Sequence, residues 1–180
     1  MPQQVQVLDK TFDLFIPESE IQQAIDRMAD KLNHDLAGKD VIFIGILNGA
    51  FIFAADLYRR INFPSIITFV KLASYQGTAT TGKVKRLIGI NENIENMTVV
   101  VLEDIVDTGI TMEYIIKQLK GYDPKEIFIA TMFFKKEAFR GDYPIHYVGM
   151  EIPNKFIVGY GLDYDGYGRN LKDIYILSEK

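Results

Sequence analysis

Three short stretches of unbroken apolar residues, at 41–47, 99–102 and 127–134, constrain this chain more than any other feature of its sequence. Each is apolar at nearly every position instead of every second one, and each is short for a buried helix. A strand reads this way when both of its faces are covered, which is the usual condition of a parallel sheet. Helical patterns lie around and between the runs. Ile21, Ile25, Met28, Leu32 and Leu36 recur at helical spacing after Pro17, with Gly38 expected as the C′ residue. A second helix is expected over roughly 49–60, and Met112, Ile115, Ile116 and Leu119 share one face of a third, closed by Gly121. This alternation predicts an α/β fold, a parallel-core sheet flanked by helices. Two more strands, around 65–72 and 83–90, flank a small polar connector at 73–82 that reads either as a surface hairpin loop or as a lid over a site, and 91–96 reads as a turn. With 180 residues and with Gly and Pro scattered as punctuation, the expectation is a single domain over 1–180.

Composition matters where it removes chemistry. The chain has no Cys, which excludes disulfides, thiolate zinc sites and a Cys nucleophile, and its two His, His34 and His146, are far apart and outside any zinc-binding pattern. A net charge of −4 argues against a dedicated duplex nucleic-acid binder while leaving room for a local anion site. No apolar run approaches the ~18 residues of a membrane span, and the start Met1-Pro2-Gln3-Gln4 lacks the basic and apolar parts of a signal peptide. The expectation is a cytoplasmic protein without a membrane or nucleic-acid partner.

The segment with the most chemistry is 99–112, where a buried strand runs into Glu103 and Asp104, then through Asp107, Thr108, Gly109 and Thr111 into the third helix. Open α/β sheets bind ligands at this carboxyl edge. Gly109 lets backbone approach an anion, the helix start offers unsatisfied N–H groups, and Thr108 and Thr111 add hydroxyls, so the turn reads as a phosphate cradle. Glu103 and Asp104 are acceptors only and suit sugar hydroxyls or a magnesium ion; a sugar phosphate satisfies both halves. Two other glycine patterns fail. The run from Gly77 to Val84 nearly matches the phosphate loop of nucleoside triphosphatases, but Val84 has no hydroxyl and a strand pattern follows where a helix is required; the stretch from Gly159 to Tyr164 lacks the third glycine of a dinucleotide fingerprint.

The run from Glu103 to Gly109, with its apolar lead-in, resembles the phosphoribosyl-pyrophosphate motif of the type I phosphoribosyltransferases, and the likeness extends over nearly the whole chain. Leu47-Asn48-Gly49 resembles their pyrophosphate loop and Ser74-Tyr75 the dipeptide of their mobile catalytic loop. Lys135, Lys155-Phe156-Ile157, Leu162-Asp163-Tyr164 and Tyr167-Gly168-Arg169 resemble the base-binding end of the hypoxanthine-guanine branch, and this ordered set is specific for 6-oxopurines. The resemblance implies the type I fold with a mobile loop and a small hood over the base site. It also implies purine salvage, in which hypoxanthine or guanine plus phosphoribosyl pyrophosphate gives IMP or GMP plus pyrophosphate, with magnesium as cofactor and a homodimer or homotetramer as assembly.

It assigns roles residue by residue. Asp107 matches the general base for purine N7; Glu103 and Asp104 match the holders of the ribose hydroxyls or their magnesium; Thr108, Gly109, Ile110 and Thr111 match the 5′-phosphate site. Leu47, Asn48, Gly49, Ser74, Tyr75 and Arg169 match the pyrophosphate side. Phe156 would stack on the purine, Ile157 would offer backbone groups to its edge, Lys135 would bond the 6-oxo oxygen, and Asp163 would lie near the 2-position and a magnesium-bound water. The branch also implies a cis peptide at Leu47-Asn48. Some relatives carry Lys at the positions of Asn48 and Ile110, so pyrophosphate binding is expected to be modestly weaker and to rest on backbone donors. A regulatory RNA-binding relative should show a basic face, yet only Lys83, Lys85 and Arg86 cluster here, and an adenine or pyrimidine transferase would leave Lys135 and Phe156 unexplained.

Overall fold

The computed structural model describes residues 3–76 and 83–178. In chain order its elements are β1 (Gln4–Val7), β2 (Lys10–Ile16), α1 (Glu18–Asp35), β3 (Val41–Leu47), α2 (Phe51–Tyr58), β4 (Ile66–Gln76), β5 (Lys83–Ile88), β6 (Thr98–Val106), α3 (Ile110–Lys120), β7 (Glu126–Phe134), β8 (Tyr147–Glu151), β9 (Ile157–Val158) and β10 (Ile174–Leu177). Six strands form the main sheet in the order β5-β4-β3-β6-β7-β8, parallel from β4 to β8, with β5 antiparallel at the edge.

The apolar runs are buried because helices cover both faces. Val41 and Phe43 of β3, with Val100 and Leu102 of β6, pack under α1 and α2, while Ile42, Ile44, Val99 and Val101 pack under α3. On α1 the expected stripe of Ile21, Ile25, Met28 and Leu32 is buried, and each large apolar side chain so placed stabilises by ~1.5–3 kcal/mol. Among the described residues no helix is long and apolar enough to cross a membrane.

Several boundaries differ from the sequence reading. The strand expected at 99–102 continues to Val106, so Glu103 and Asp104 lie within β6. β4 runs on to Gln76 and takes 73–76 from the connector, with Ser74 opposite Lys85 and Tyr75 opposite Val84. The rest of the expected loop, 77–82, lies outside the described residues. α2 starts at Phe51, not 49, because Asn48 to Ala50 form a turn in which Ala50 N–H donates to the Ile46 carbonyl at 3.2 Å and Phe51 N–H to the Asn48 carbonyl at 3.4 Å. Gly38 is left-handed (φ 78°) but stands two residues past the cap residue Leu36, and Gly121 caps α3 in a right-handed conformation (φ −70°).

A second sheet, β1-β2-β10-β9, joins the N-terminal hairpin to the C-terminal strands. Its own core is Val7, Phe12, Val158 and Tyr175, whereas Ile16, Ile157 and Ile174 belong to the core beneath α1. α1 has no side-chain cap from its own N-cap residue, Pro17. Buried Asp173 takes that part instead, accepting the Glu18 N–H at 2.8 Å, so the end of the chain caps the first helix and fastens this sheet to the main one.

Candidate active site

Where β6 ends, the chain turns through Asp107 and Thr108 to Gly109, whose φ of 87° is open to glycine and costly for other residues, and enters α3. A cavity of about 240 Å³ sits there, lined by residues 103–109 with Thr111 and Met112. Thr108 and Thr111 are exposed at its rim and Ile110, at 55% exposure, contributes no charge. The features from which the sequence reading drew a cradle lie together here: a helix start with donors, hydroxyls and a glycine turn around one cavity.

The two acids at its other side are short of water. Asp104 is buried, and its Oδ1 accepts the Ile105 N–H at 2.8 Å. Glu103 Oε2 is sealed from solvent without a hydrogen-bond partner. Burial, with the Asp104 charge second, pushes the Glu103 carboxyl well above the ordinary carboxylate range; burial also raises Asp104, against the opposing pull of the neighbouring Glu103 carboxyl first, then of the Ile105 N–H and the Arg169 charge. An orphaned, desolvated carboxylate oxygen facing a ligand cavity lacks a hydroxyl donor or a cation. Among the described residues no three His, Asp or Glu side chains converge as a preformed metal site.

The Leu47-Asn48 peptide is cis, and the loop packs directly on the acids: a Cβ on Gly49 would collide with the Asp104 carboxylate. A Cβ on Gly161, in the left-handed region at φ 97°, would likewise collide with the Gly49 carbonyl. Arg169 completes this corner, its Nη1 donating to the Gly161 carbonyl at 2.6 Å and its Nη2 pairing with Asp163 Oδ1 at 2.6 Å. Asp163 Oδ2 also accepts the Gly166 N–H at 2.7 Å. Thus Leu47 to Gly49 and Arg169, which the resemblance assigns to pyrophosphate, lie in one corner with Asp104 and Asp163, which it assigns to the ribose, the base and magnesium. Ser74 and Tyr75 stand on β4, with their positions known as backbone register only.

At the base end, Lys135 is 8% exposed and its Nζ donates to Asp107 Oδ2 at 3.1 Å. Phe156 is 45% exposed, its ring lying 6.2 Å from that of Phe12 and 6.0 Å from that of Tyr164, centroid to centroid. Ile157 is buried beside it and paired with Ile176 on β10. Phe12 was not foreseen as a support, nor was Tyr143, whose hydroxyl donates to the Gly109 carbonyl at 2.6 Å. The first had only the alternation of residues 11–16 as a signal; the second had none.

Comparison with known proteins gives the family. The phosphoribosyl transferase domain matches residues 17–165. The chain is 33% identical over 176 residues to the hypoxanthine-guanine phosphoribosyltransferase of Aquifex aeolicus, covering 97% of this chain and 99% of that protein. To the enzyme of the same name from Streptococcus mutans it is 39% identical over 163 residues, 90% and 91% of the two chains. A solved hypoxanthine-guanine phosphoribosyltransferase from Bacillus anthracis superposes with a TM-score of 0.82 at 33% identity, over 93% of this chain and 97% of that one. The chain therefore belongs to the phosphoribosyltransferase family, and within it to the hypoxanthine-guanine phosphoribosyltransferases.

Proposed function

We propose that this chain carries out purine salvage as one domain over 1–180, joining hypoxanthine or guanine to phosphoribosyl pyrophosphate to give IMP or GMP and pyrophosphate. The observation that carries the reading is the buried Lys135 ammonium set 3.1 Å from the Asp107 carboxylate at the edge of the cradle cavity. It sets a donor for an oxo group beside an acceptor for a ring proton, within reach of a sugar phosphate.

In this reading Thr108, Gly109, Ile110 and Thr111 hold the 5′-phosphate, and Glu103 and Asp104 accept the ribose hydroxyls. Purine N9 bonds to the anomeric carbon as the bond to pyrophosphate breaks, and Asp107 takes the proton released from N7. Lys135 leaves Asp107 for the 6-oxo oxygen, which frees the carboxylate for that proton. Phe156, propped by Phe12 and Tyr164, stacks on the purine, and Ile157 offers backbone to its edge. Backbone of Leu47, Asn48 and Gly49, with Arg169 and the Ser74-Tyr75 pair, binds pyrophosphate.

Magnesium suits this site, because the ion is commonly held by one or two carboxylates together with substrate phosphates and water, and the unpartnered Glu103 oxygen is such a ligand. Glu103 and Asp104 would hold it, Asp163 would lie near a magnesium-bound water, and when bound the ion would offset the charge of the departing pyrophosphate. The proposed assembly is a homodimer or homotetramer, favoured by exposed Phe51 on α2 and by Phe69, 36% exposed, whose ring lies over Gly45 on the same side. The proposed location is the cytoplasm, to which a chain without cysteine is suited.

The test is catalytic efficiency for hypoxanthine, guanine and adenine in wild type and in Lys135→Ala. Lysine has three donors and no acceptor, so adenine's 6-amino group leaves it unpaired, and sites built on such contacts discriminate by up to ~10⁴–10⁵-fold. The variant should lose most 6-oxopurine activity without gaining much on adenine. Adenine used by the wild type as well as hypoxanthine refutes the base assignment.

A further inference from the structure

The segment that leaves β7 with Lys135 comes back past the cradle turn without lining the ligand cavity. There Arg140 N–H donates to the Thr108 carbonyl at 3.0 Å and the Tyr143 hydroxyl to the Gly109 carbonyl at 2.6 Å. The Gly109 carbonyl also takes the first intrahelical bond of α3, from Glu113 N–H at 3.0 Å. The Phe139 ring stands edge-on to Tyr143, with centroids 5.3 Å apart, and a Cβ on Gly109 would come within 2.6 Å of both Phe139 and the Tyr143 oxygen. Thr108 and Gly109 line the cradle cavity, while Arg140 and Tyr143 line grooves elsewhere.

A trans peptide is planar, with its C=O and N–H pointing in opposite directions. Holding the carbonyls of Thr108 and Gly109 on the Tyr143 side therefore turns the N–H groups of Gly109 and Ile110 towards the cavity. We propose that Tyr143 is a positioning residue for the 5′-phosphate: its hydroxyl fixes the Gly109 peptide plane, and so aims the Ile110 N–H at the anion. This rests on the phosphate role given to residues 108–111. Burial pushes the Tyr143 hydroxyl up to about 12, so it stays protonated, and a donor, throughout the working range of an enzyme. Because the same segment begins at Lys135, the ends of the site that hold base and phosphate share one support.

Tyr143→Phe removes the hydroxyl and keeps the ring against Phe139. Its affinity for ribose 5-phosphate, measured by calorimetry, is expected to fall about 5–10-fold, the size of one lost hydrogen bond. The KM for phosphoribosyl pyrophosphate should rise by the same factor, with kcat and the KM for hypoxanthine within about 2-fold of wild type. Ribose 5-phosphate affinity equal to wild type overturns the proposal, as does an equal rise in both KM values with a lowered Tm, the mark of a merely structural role. If Tyr143→Phe does not fold, Phe139→Leu loosens the ring that orients the hydroxyl and should weaken ribose 5-phosphate binding about 2–5-fold on the same scale; unchanged binding overturns the idea. A wild type that binds ribose 5-phosphate but forms no nucleotide refutes the transferase reading and leaves the positioning role standing, and one that binds none refutes both.

Discussion

Glu103 and Asp104 are kept at the edge of a parallel sheet with less water than a carboxylate ordinarily has, and the ligand-free protein bears the cost. The folded Glu103 carboxyl is raised above its ordinary value of 4.5, so the stability linked to it is fully present below that pH and is lost as pH rises through the folded value. Glu103→Gln should therefore raise the Tm of ligand-free protein at pH 7, by roughly 2–4 °C for each kcal/mol relieved, while weakening phosphoribosyl-pyrophosphate binding. Calorimetry at pH 7 and near pH 4 checks it, since the gain must shrink in acid; a gain equal at both pH values contradicts the linkage. Asp107 is different, being half exposed and partnered by Lys135. Asp107→Asn should lower turnover by ~10²–10⁴-fold while phosphoribosyl-pyrophosphate affinity changes little, and single-turnover rates with separate binding measurements would show it. An unaltered rate at neutral pH removes Asp107 from the proton path.

Elements were legible in proportion to how local their causes are. β3, β6 and β7 stood out because coverage on both faces gives each a nearly unbroken apolar run, and α1 because its stripe from Ile21 to Leu32 repeats over about three turns. The run from Glu103 to Thr111 was readable as a site because one strand end and one helix start carry it whole. β1, β2, β9 and β10 were not, since β1, β9 and β10 are short and the group is held by partners far off in the chain, as with Glu18 and Asp173. Tyr143 stayed hidden for the same reason. The β7–β8 edge has its own pH dependence. His146 Nδ1 accepts the Ile129 N–H at 3.1 Å, and burial, with the Lys31 charge second, holds the imidazole below its ordinary 6.5. That contribution is present above 6.5 and is lost as pH falls through the folded value. The Tm of wild type should drop more steeply between pH 7 and pH 5 than that of His146→Gln; parallel curves show that the histidine has no part in it.

For the molecule as a whole, the decisive contact is where Gly161, from the C-terminal loop, meets Gly49 in the main sheet's loop, with Asp104 beneath. Gly161→Ala places a methyl group against the Gly49 carbonyl at a left-handed backbone position, and should destabilise by ~1–3 kcal/mol and raise the KM for pyrophosphate in the reverse reaction. Denaturant unfolding and reverse-reaction kinetics measure both, and a variant with wild-type values in each shows that the two loops have slack. The strand order sets a timetable as well. The strands of the main sheet are complete at Glu151, but β10, which follows them in the chain, lies between β2 and β9, so the floor on which Phe12 and Phe156 meet cannot close before Leu177 is made. On the ribosome, the growing chain has the proposed grip for phosphate well before it has the proposed seat for a base.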